Sequence, residues 1–592
     1  MSVTERLEDQ SRAMSLITTD GSCGRLCDLL SWQARRHPGE PACVTLDSSG
    51  QVTGQISYQA LDRRARAVAA FLRLSTAPGD RVLLALPNCI DFAVALYGCA
   101  YAGAVAVPVP APGEGLGNGA ARLRRIIEDA APALVLVPAE AAAEPGGHGL
   151  GSAAVAAVAQ IRPELAGEFR DPGHGTDSLA LLQYTSGSTS DPKGVQLSHR
   201  NMLANLTDLY TTLPIELPAG DRLRTASWLP LFHDMGMAQL LLPAVTGGMV
   251  ALSTPTSFVL RPMSWLESIT RYRAHMATAP NFAYDLCVRR TTEAERATLD
   301  LSSLRFALNG SEPVRSGTLS RFAATFAAAG FDPASYVPCY GLAESTVYVS
   351  GHRGTPGSVV TSLPALQSDQ LARPPDGAEP GYEVMSCGPV ADGTDLRIVD
   401  PARCTERPPG GVGEIWIASA SVSRGYWRRP DERFAGRLAG SAAGPFLRTS
   451  DLGFFADGEL YVLGRLDDMI IVDGRNHYPQ DIELAAQQSH AALASGRLVA
   501  FGYPLRDETA VAVVAETGKG VRLAAPGMPP AAGQPAAADI VRAVRSAVSA
   551  DHQLRVAQVV LLRPAGLPRT TSGKLQRGRC RELFLAGTLK TW

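Results

Sequence analysis

The chain is short of net charge, of lysine, of paired cysteines and of apolar runs with membrane character, and each shortage removes a class of function. Its 55 basic side chains meet 57 acidic ones, for a formal charge of −2 and a pI near 6.6. No global basic field results, so nucleic acid is not expected as a partner, and any anionic ligand must be held by local groups. The ten cysteines are scattered without a C-x-x-C pair, and no histidine cluster accompanies the nearest two, Cys23 and Cys27. That excludes a zinc ribbon and a disulfide framework, and predicts reduced thiols in a cytoplasmic setting. The N-terminal MSVTERLEDQ lacks the apolar centre of a signal peptide. Residues 92–110 carry no charge and have the length of a membrane span. They are rich in Ala and Gly and turn to Val-Pro alternation after Gly103, which predicts a buried helix followed by a strand and no membrane span.

What is present is a long, half-apolar chain. With 592 residues, 45% hydrophobic side chains and a mean hydropathy of +0.01, it exceeds one compact core and should form two or more soluble domains. Up to residue 180, amphipathic helices alternate with apolar strands, the pattern of α/β layers. Ser57 reads as the N-cap of a helix carrying Leu61, Ala65, Val68 and Leu72, with a strand at 81–86 behind it. The apolar run Leu179 to Leu182 predicts a strand feeding the loop Tyr184-Thr185-Ser186-Gly187-Ser188-Thr189-Ser190-Asp191-Pro192-Lys193-Gly194, followed by a helix after Ser198. Backbone N–H groups freed by glycine, small hydroxyls and one lysine suit a polyphosphate. Lys193 is followed by Gly194, not by Ser or Thr opening a helix, so this is not a Walker loop.

Only four of the 55 basic residues are lysines: Lys193, Lys519, Lys574 and Lys590. In a chain that otherwise uses arginine, a lysine inside a motif points to a role needing a compact ammonium. Lys193 stands in the loop above, and Lys574 in Leu567-Pro568-Arg569-Thr570-Thr571-Ser572-Gly573-Lys574-Leu575-Gln576-Arg577. The tripeptide Asp177-Ser178-Leu179 imitates a phosphopantetheine attachment site, but its serine enters a buried strand instead of opening a helix. An acyl carrier must therefore be a separate protein.

The eleven-residue loop resembles the phosphate loop of the adenylate-forming superfamily of acyl-CoA ligases, adenylation domains and luciferases, and the superfamily's further segments follow in order across nearly the whole chain. The resemblance implies a large multi-layer α/β N-terminal adenylate-forming domain, residues 1–466, and a small mobile α+β C-terminal domain, residues 467–592, turning about Asp467. It implies ATP and Mg²⁺ as cofactors. Thr185, Ser186, Gly187, Ser188, Thr189 and Lys193 would hold phosphate, and His233, in Trp228-Leu229-Pro230-Leu231-Phe232-His233-Asp234, would sit between the phosphate and acyl pockets. Asn309, Gly310 and Ser311 would flank adenine, Tyr340 would stack on it beside Gly341, Glu344 would hold Mg²⁺, Asp451 and Arg465 would face ribose, and Lys574 would be catalytic.

Within the superfamily, Tyr340-Gly341-Leu342-Ala343-Glu344 and Asn476-His477-Tyr478-Pro479-Gln480-Asp481-Ile482-Glu483 look like the fatty acyl-AMP ligase version. The Pro/Asp/Gly-rich stretch Gln367 to Gly381 reads as a long loop, at the position where those ligases carry an insertion that restrains the small domain and disfavours free CoA. The implied reaction activates a medium- or long-chain fatty acid as its adenylate and passes it to a holo acyl carrier protein. The alternatives are a fatty acyl-CoA ligase and a non-catalytic acyl- or nucleotide-binding protein of the same fold.

Overall fold

The computed structural model describes residues 24–113, 119–142, 153–185, 192–213, 215, 217, 221–472, 475–505, 508–524, 534–570 and 574–592. Alternation of apolar strands with amphipathic helices produces two large sheets. In the first, eight described strands run in the order Ser350–Gly351, Tyr336–Tyr340, Phe306–Asn309, Met276–Ala279, Arg224–Ser227, Met249–Leu252, Pro41–Leu46, Val52–Ser57, with its interior pairs parallel. In the second, Ala154–Ala157, Leu134–Val137, Arg81–Ala85, Val105–Val109 and Leu179–Thr185 are parallel, and Lys193–Ser198 closes the edge antiparallel. Their strands are near-continuous apolar runs because helices cover both faces.

Local signals set the element ends. The Ser57 hydroxyl accepts from the Ala60 N–H and starts the helix Tyr58–Leu72. Ser198 and Asn201 form a reciprocal capping box at the start of His199–Thr212. The chargeless stretch forms the helix Ile90–Ala102 and the strand Val105–Val109, joined at Gly103, whose φ of 70° lets the helix end in a left-handed cap. No helix among the described residues is long and apolar enough to cross a membrane. Ser178 directly precedes the strand that begins at Leu179, as the sequence predicts.

A five-stranded antiparallel sheet follows, ending in Leu447–Ala456 and Glu459–Arg465, and a short 3₁₀ turn, Leu466–Asp468, leads out of it. The final segment is a small α+β unit. Leu498–Leu505, Glu508–Glu516 and Val556–Leu562 form its sheet. One face packs on Pro479–Gln488 and Ala537–His552 through Ile482, Ile540, Val544 and Val548, and the other on Arg577–Leu585 through Cys580 and Phe584.

The stretch after Glu344 adds to the sequence reading: Ser358–Ser362 pairs with Gly381–Met385 as an antiparallel hairpin, and after the short turn Ala365–Asp369 the Pro/Asp/Gly-rich residues up to Gly381 form the loop that joins them. Val359, Val360 and Thr361 opposite Val384, Glu383 and Tyr382 supply β-branched and aromatic pairs. The Pro and Gly residues lie between the strands and mask that signal. Leu366, fully buried, anchors the connection against Tyr461 and Tyr478.

Candidate active site

Open parallel sheets gather ligands beyond the carboxyl ends of their strands, and the motif residues collect there. Thr185 ends Leu179–Thr185, Asn309 ends Phe306–Asn309, and Tyr340 ends Tyr336–Tyr340. His233 lies in the turn after Arg224–Ser227 and leads into the helix Asp234–Leu241. Gly310 and Gly341 are required by close packing. A Cβ at Gly310 would stand 2.9 Å from Cys339 Sγ, and one at Gly341 would stand 1.6 Å from the Val347 carbonyl oxygen. Ser311 adopts φ 71°, a strained conformation for a non-glycine residue and common at functional sites. Ser186, Gly187, Ser188 and Thr189 lie outside the described residues.

On the large-sheet side, charged groups form linked networks. The Glu344 carboxylate accepts from the Tyr426 hydroxyl, which in turn accepts from Arg433. Arg433 pairs with Asp431 at 3.2 Å, and Asp431 meets the Lys193 ammonium at 3.3 Å. Lys193 also lies 4.7 Å from the centroid of the Tyr426 ring. Asp451 accepts from the Tyr340 hydroxyl at 2.7 Å and faces Arg465 at 3.5 Å. Burial pushes its carboxyl pKa up, against the opposing pull of Arg465 and Tyr340.

Lys574 arrives from the other side. It stands on a hairpin-like turn in which Thr570 N–H donates to its carbonyl at 2.8 Å and its own N–H donates to Thr570 Oγ1 at 3.0 Å. Arg569 ties this turn to the buried Glu516 at 2.6 Å. The ammonium lies near enough to favour the neutral form of His233 and the ionised forms of Asp234 and Glu312. Burial, then Lys574, then Arg122, pushes the His233 pKa down to about 3. The imidazole is therefore neutral at physiological pH, and its Nε2 is buried with no hydrogen-bond partner among the described residues. Burial raises Asp234 and Glu312 while Lys574 opposes both. Glu312 accepts from the Phe282 N–H at 2.6 Å, and the guanidinium of Arg497, from the C-terminal unit, lies 5.0 Å from the Phe282 ring centroid and close to Glu312.

On the large-sheet side a cavity of about 40 Å³ runs from Asp234, Tyr340 and Gly341 into a wall that includes Leu209, Met235 and Leu308. Beyond the packing of Leu366 in one cluster with Tyr478, the hairpin after Glu344 reaches the C-terminal unit through polar side chains. Tyr382 hydrogen-bonds Asp481, and Gln367 Nε2 lies 3.4 Å from His477 Nδ1. Burial lifts the Asp481 pKa to about 7, with Tyr382 and Arg315 pulling the other way.

Sequence reasoning missed Arg122, Glu312, Tyr426, Asp431, Arg433 and Arg497. Tyr426 to Arg433 lie in no recognised motif and reach Lys193 only by folding, 238 positions apart in the case of Asp431. Glu312 stood in a quoted motif, Asn309-Gly310-Ser311-Glu312-Pro313, and its carboxylate beside a strand end was the available signal.

The profile of AMP-binding enzymes matches residues 30–427. The chain is 38% identical to the medium-chain-fatty-acid–[acyl-carrier-protein] ligase JamA of Moorena producens, over 96% of each chain. It is 35% identical to a 4-hydroxyphenylalkanoate adenylyltransferase of Mycobacterium tuberculosis, over 95% of this chain and 91% of that one. Its fold matches the fatty acyl-adenylate ligase of L. pneumophila solved with acyl adenylate and pyrophosphate, with a TM-score of 0.72 and 34% identity over 95% of this chain and 96% of that one. The chain belongs to the AMP-binding enzyme family and, within it, to the fatty acyl-AMP ligases.

Proposed function

We propose that the protein activates a medium- or long-chain fatty acid with ATP and then loads it onto a separate holo acyl carrier protein. In the first step a carboxylate oxygen attacks the α-phosphorus, the bond to the β-phosphate oxygen breaks, and pyrophosphate leaves. In the second, the phosphopantetheine thiol loses its proton to solvent as sulfur adds to the acyl carbonyl, and AMP departs. The observation that carries this reading is the electrostatic reach of Lys574 to His233 and Asp234, with Asp234 itself lining the cavity.

Two anions must meet in the first step, so the barrier is mainly electrostatic. Lys574 bridges carboxylate and α-phosphate, and neutral His233 orients them through its free nitrogen without altering the charge balance. Lys193, with Thr185, Ser186, Gly187, Ser188 and Thr189, holds the departing phosphates. Asn309, Gly310, Ser311 and Gly341 frame the base against Tyr340; the unpartnered Asn309 Oδ1 and the close packing at both glycines fit a flat ligand. Asp451 and Arg465 take the ribose hydroxyls. Glu344 offers the hard carboxylate oxygen that Mg²⁺ prefers, and the ion would neutralise phosphate charge there.

We assign residues 1–466 to the binding domain and 467–592 to a domain that turns about Asp467 after adenylation, withdrawing Lys574. The hairpin contacts at Asp481 and His477 favour the docked state, so a thiol donor gains access only if it binds the turned state better. A carrier protein has a docking surface for that, and free CoA has less. JamA is named for an acyl carrier protein acceptor, which agrees with this choice. The test is incubation with ATP, a fatty-acid series and either CoA or a holo-carrier. Acyl-AMP should accumulate with CoA and be consumed by a matched carrier, and deleting residues 367–381 should raise acyl-CoA formation. Rapid acyl-CoA synthesis by the intact enzyme would instead make it a fatty acyl-CoA ligase.

A further inference from the structure

On the ligase reading the acyl chain enters the cavity beside Asp234, Tyr340 and Gly341, and that cavity is not uniformly apolar. Two of its lining groups, Gln239 and Thr278, are 1% and 3% exposed, and Gln239 Oε1 and Thr278 Oγ1 have no hydrogen-bond partner among the described residues. The fold holds them on one wall. Met276 pairs in register with Thr225, whose hydroxyl donates to the Gln239 carbonyl at 3.2 Å, and Thr278 lies two residues along the same strand as Met276. The Gln239 main chain is thus fixed by the sheet while its side-chain oxygen is left without a donor. Around them the wall is Leu209, Met235, Ala238 and Leu308.

An unbranched alkyl chain in this cavity leaves both oxygens unpaired, as they already are among the described residues, whereas a ligand group that pairs one of them gains roughly tenfold or more in affinity. A carboxamide oxygen only accepts, whereas a threonine hydroxyl donates or accepts. Their complement is a group that gives a hydrogen to Gln239 and exchanges one with Thr278, which is an alcohol or phenol. A ketone or ether would leave Gln239 unmatched. We infer that the preferred acid carries a hydroxyl group on its acyl chain, recognised by Gln239 Oε1 and Thr278 Oγ1. The inference rests on the ligase reading above and narrows its substrate class.

Selectivity of this kind is steep, because an analogue lacking the hydroxyl must leave the site's polar atoms unpaired. The experiment is pyrophosphate release by the full-length enzyme with straight-chain acids of C6 to C12 and length-matched 3-hydroxy, ω-hydroxy and 4-hydroxyphenyl acids. One hydroxylated series should exceed its parent in kcat/KM by about 10–100-fold. Gln239→Leu and the nearly isosteric Thr278→Val should each cut the rate with that series by about tenfold or more while preserving or raising the rate with the plain acid. Circular dichroism and melting temperature verify folding, and Thr278→Val serves if Gln239→Leu does not fold. Equal or better rates with plain acids, or equal losses on both substrate types in either folded variant, would overturn the inference and leave the ligase reading intact. Absence of pyrophosphate release with every acid would overturn the ligase reading itself.

Discussion

The two sides of the site are held together differently. On the large-sheet side, Glu344, Tyr426, Arg433, Asp431 and Lys193 are linked one to the next, Asp451 lies between Tyr340 and Arg465, and glycines are packed against backbone. Its geometry exists before any partner arrives. On the other side, Lys574, Arg497 and Asp481 act only through contacts across the seam, to His233 and Asp234, to Phe282 and Glu312, and to Tyr382. A prebuilt half can bind, and a half that acts through separable contacts can be timed. Damage to the first should therefore fall on both half-reactions, and damage to the second on adenylation alone.

Gly341→Ala should do the greatest harm. With 1.6 Å to the Val347 carbonyl, the backbone beside Tyr340 must move. A displacement of that size costs on the order of 10² in rate, and here it should appear in adenylation and in acyl transfer alike. A variant with one step intact would break the comparison. A smaller and one-sided loss is expected for Arg497→Ala, which removes one of the three cations, with Lys574 and Arg315, that face Glu312. Adenylation should fall about 10–100-fold, ATP binding should hold, and transfer from preformed acyl-AMP should stay near wild type. Parallel losses in both steps would move Arg497 to the prebuilt half.

The mildest effect belongs to Asp481. Its folded carboxyl keeps a proton up to about pH 7, whereas an unfolded aspartate loses it near pH ~4. Between those values the folded state binds more protons, so stability falls as pH rises through the window. Asp481→Asn should melt with wild type at the acidic end and a few degrees above it beyond pH ~7. A constant difference across pH would show that Asp481 is not the titrating group. The buried neutral His233 acts in the opposite direction, since the unfolded chain takes up protons below about pH 6.5 that the folded imidazole refuses.

Part of the site was legible in the sequence because Thr185, Asn309 and Tyr340 each end a parallel strand, where open sheets place ligand-binding groups whatever the separation along the chain. The rarity of lysine singled out Lys193 and Lys574. Side chains whose meaning lies in a partner far along the chain were not legible. Tyr426, Asp431 and Arg433 matter through Lys193 and Glu344, and Arg497 matters only when docked. The hairpin was hidden by composition, since the Pro/Gly stretch Arg373 to Gly381 dominates the window that contains its short strands. The orphaned oxygens of Gln239 and Thr278 were invisible to any pattern, because being without a partner is a property of packing.

The division between a binding half and a timing half is tested most directly with Lys574→Ala. The measurement is the ratio of its single-turnover rates for acyl-AMP formation and for transfer from preformed acyl-AMP to the holo-carrier, with ATP affinity recorded alongside. Loss of one charge-stabilising donor should slow formation by on the order of 10²–10³, with transfer and ATP affinity within about threefold of wild type. Equal losses in the two steps, or pyrophosphate release near the wild-type rate, would contradict the assignment of Lys574 and the division built on it.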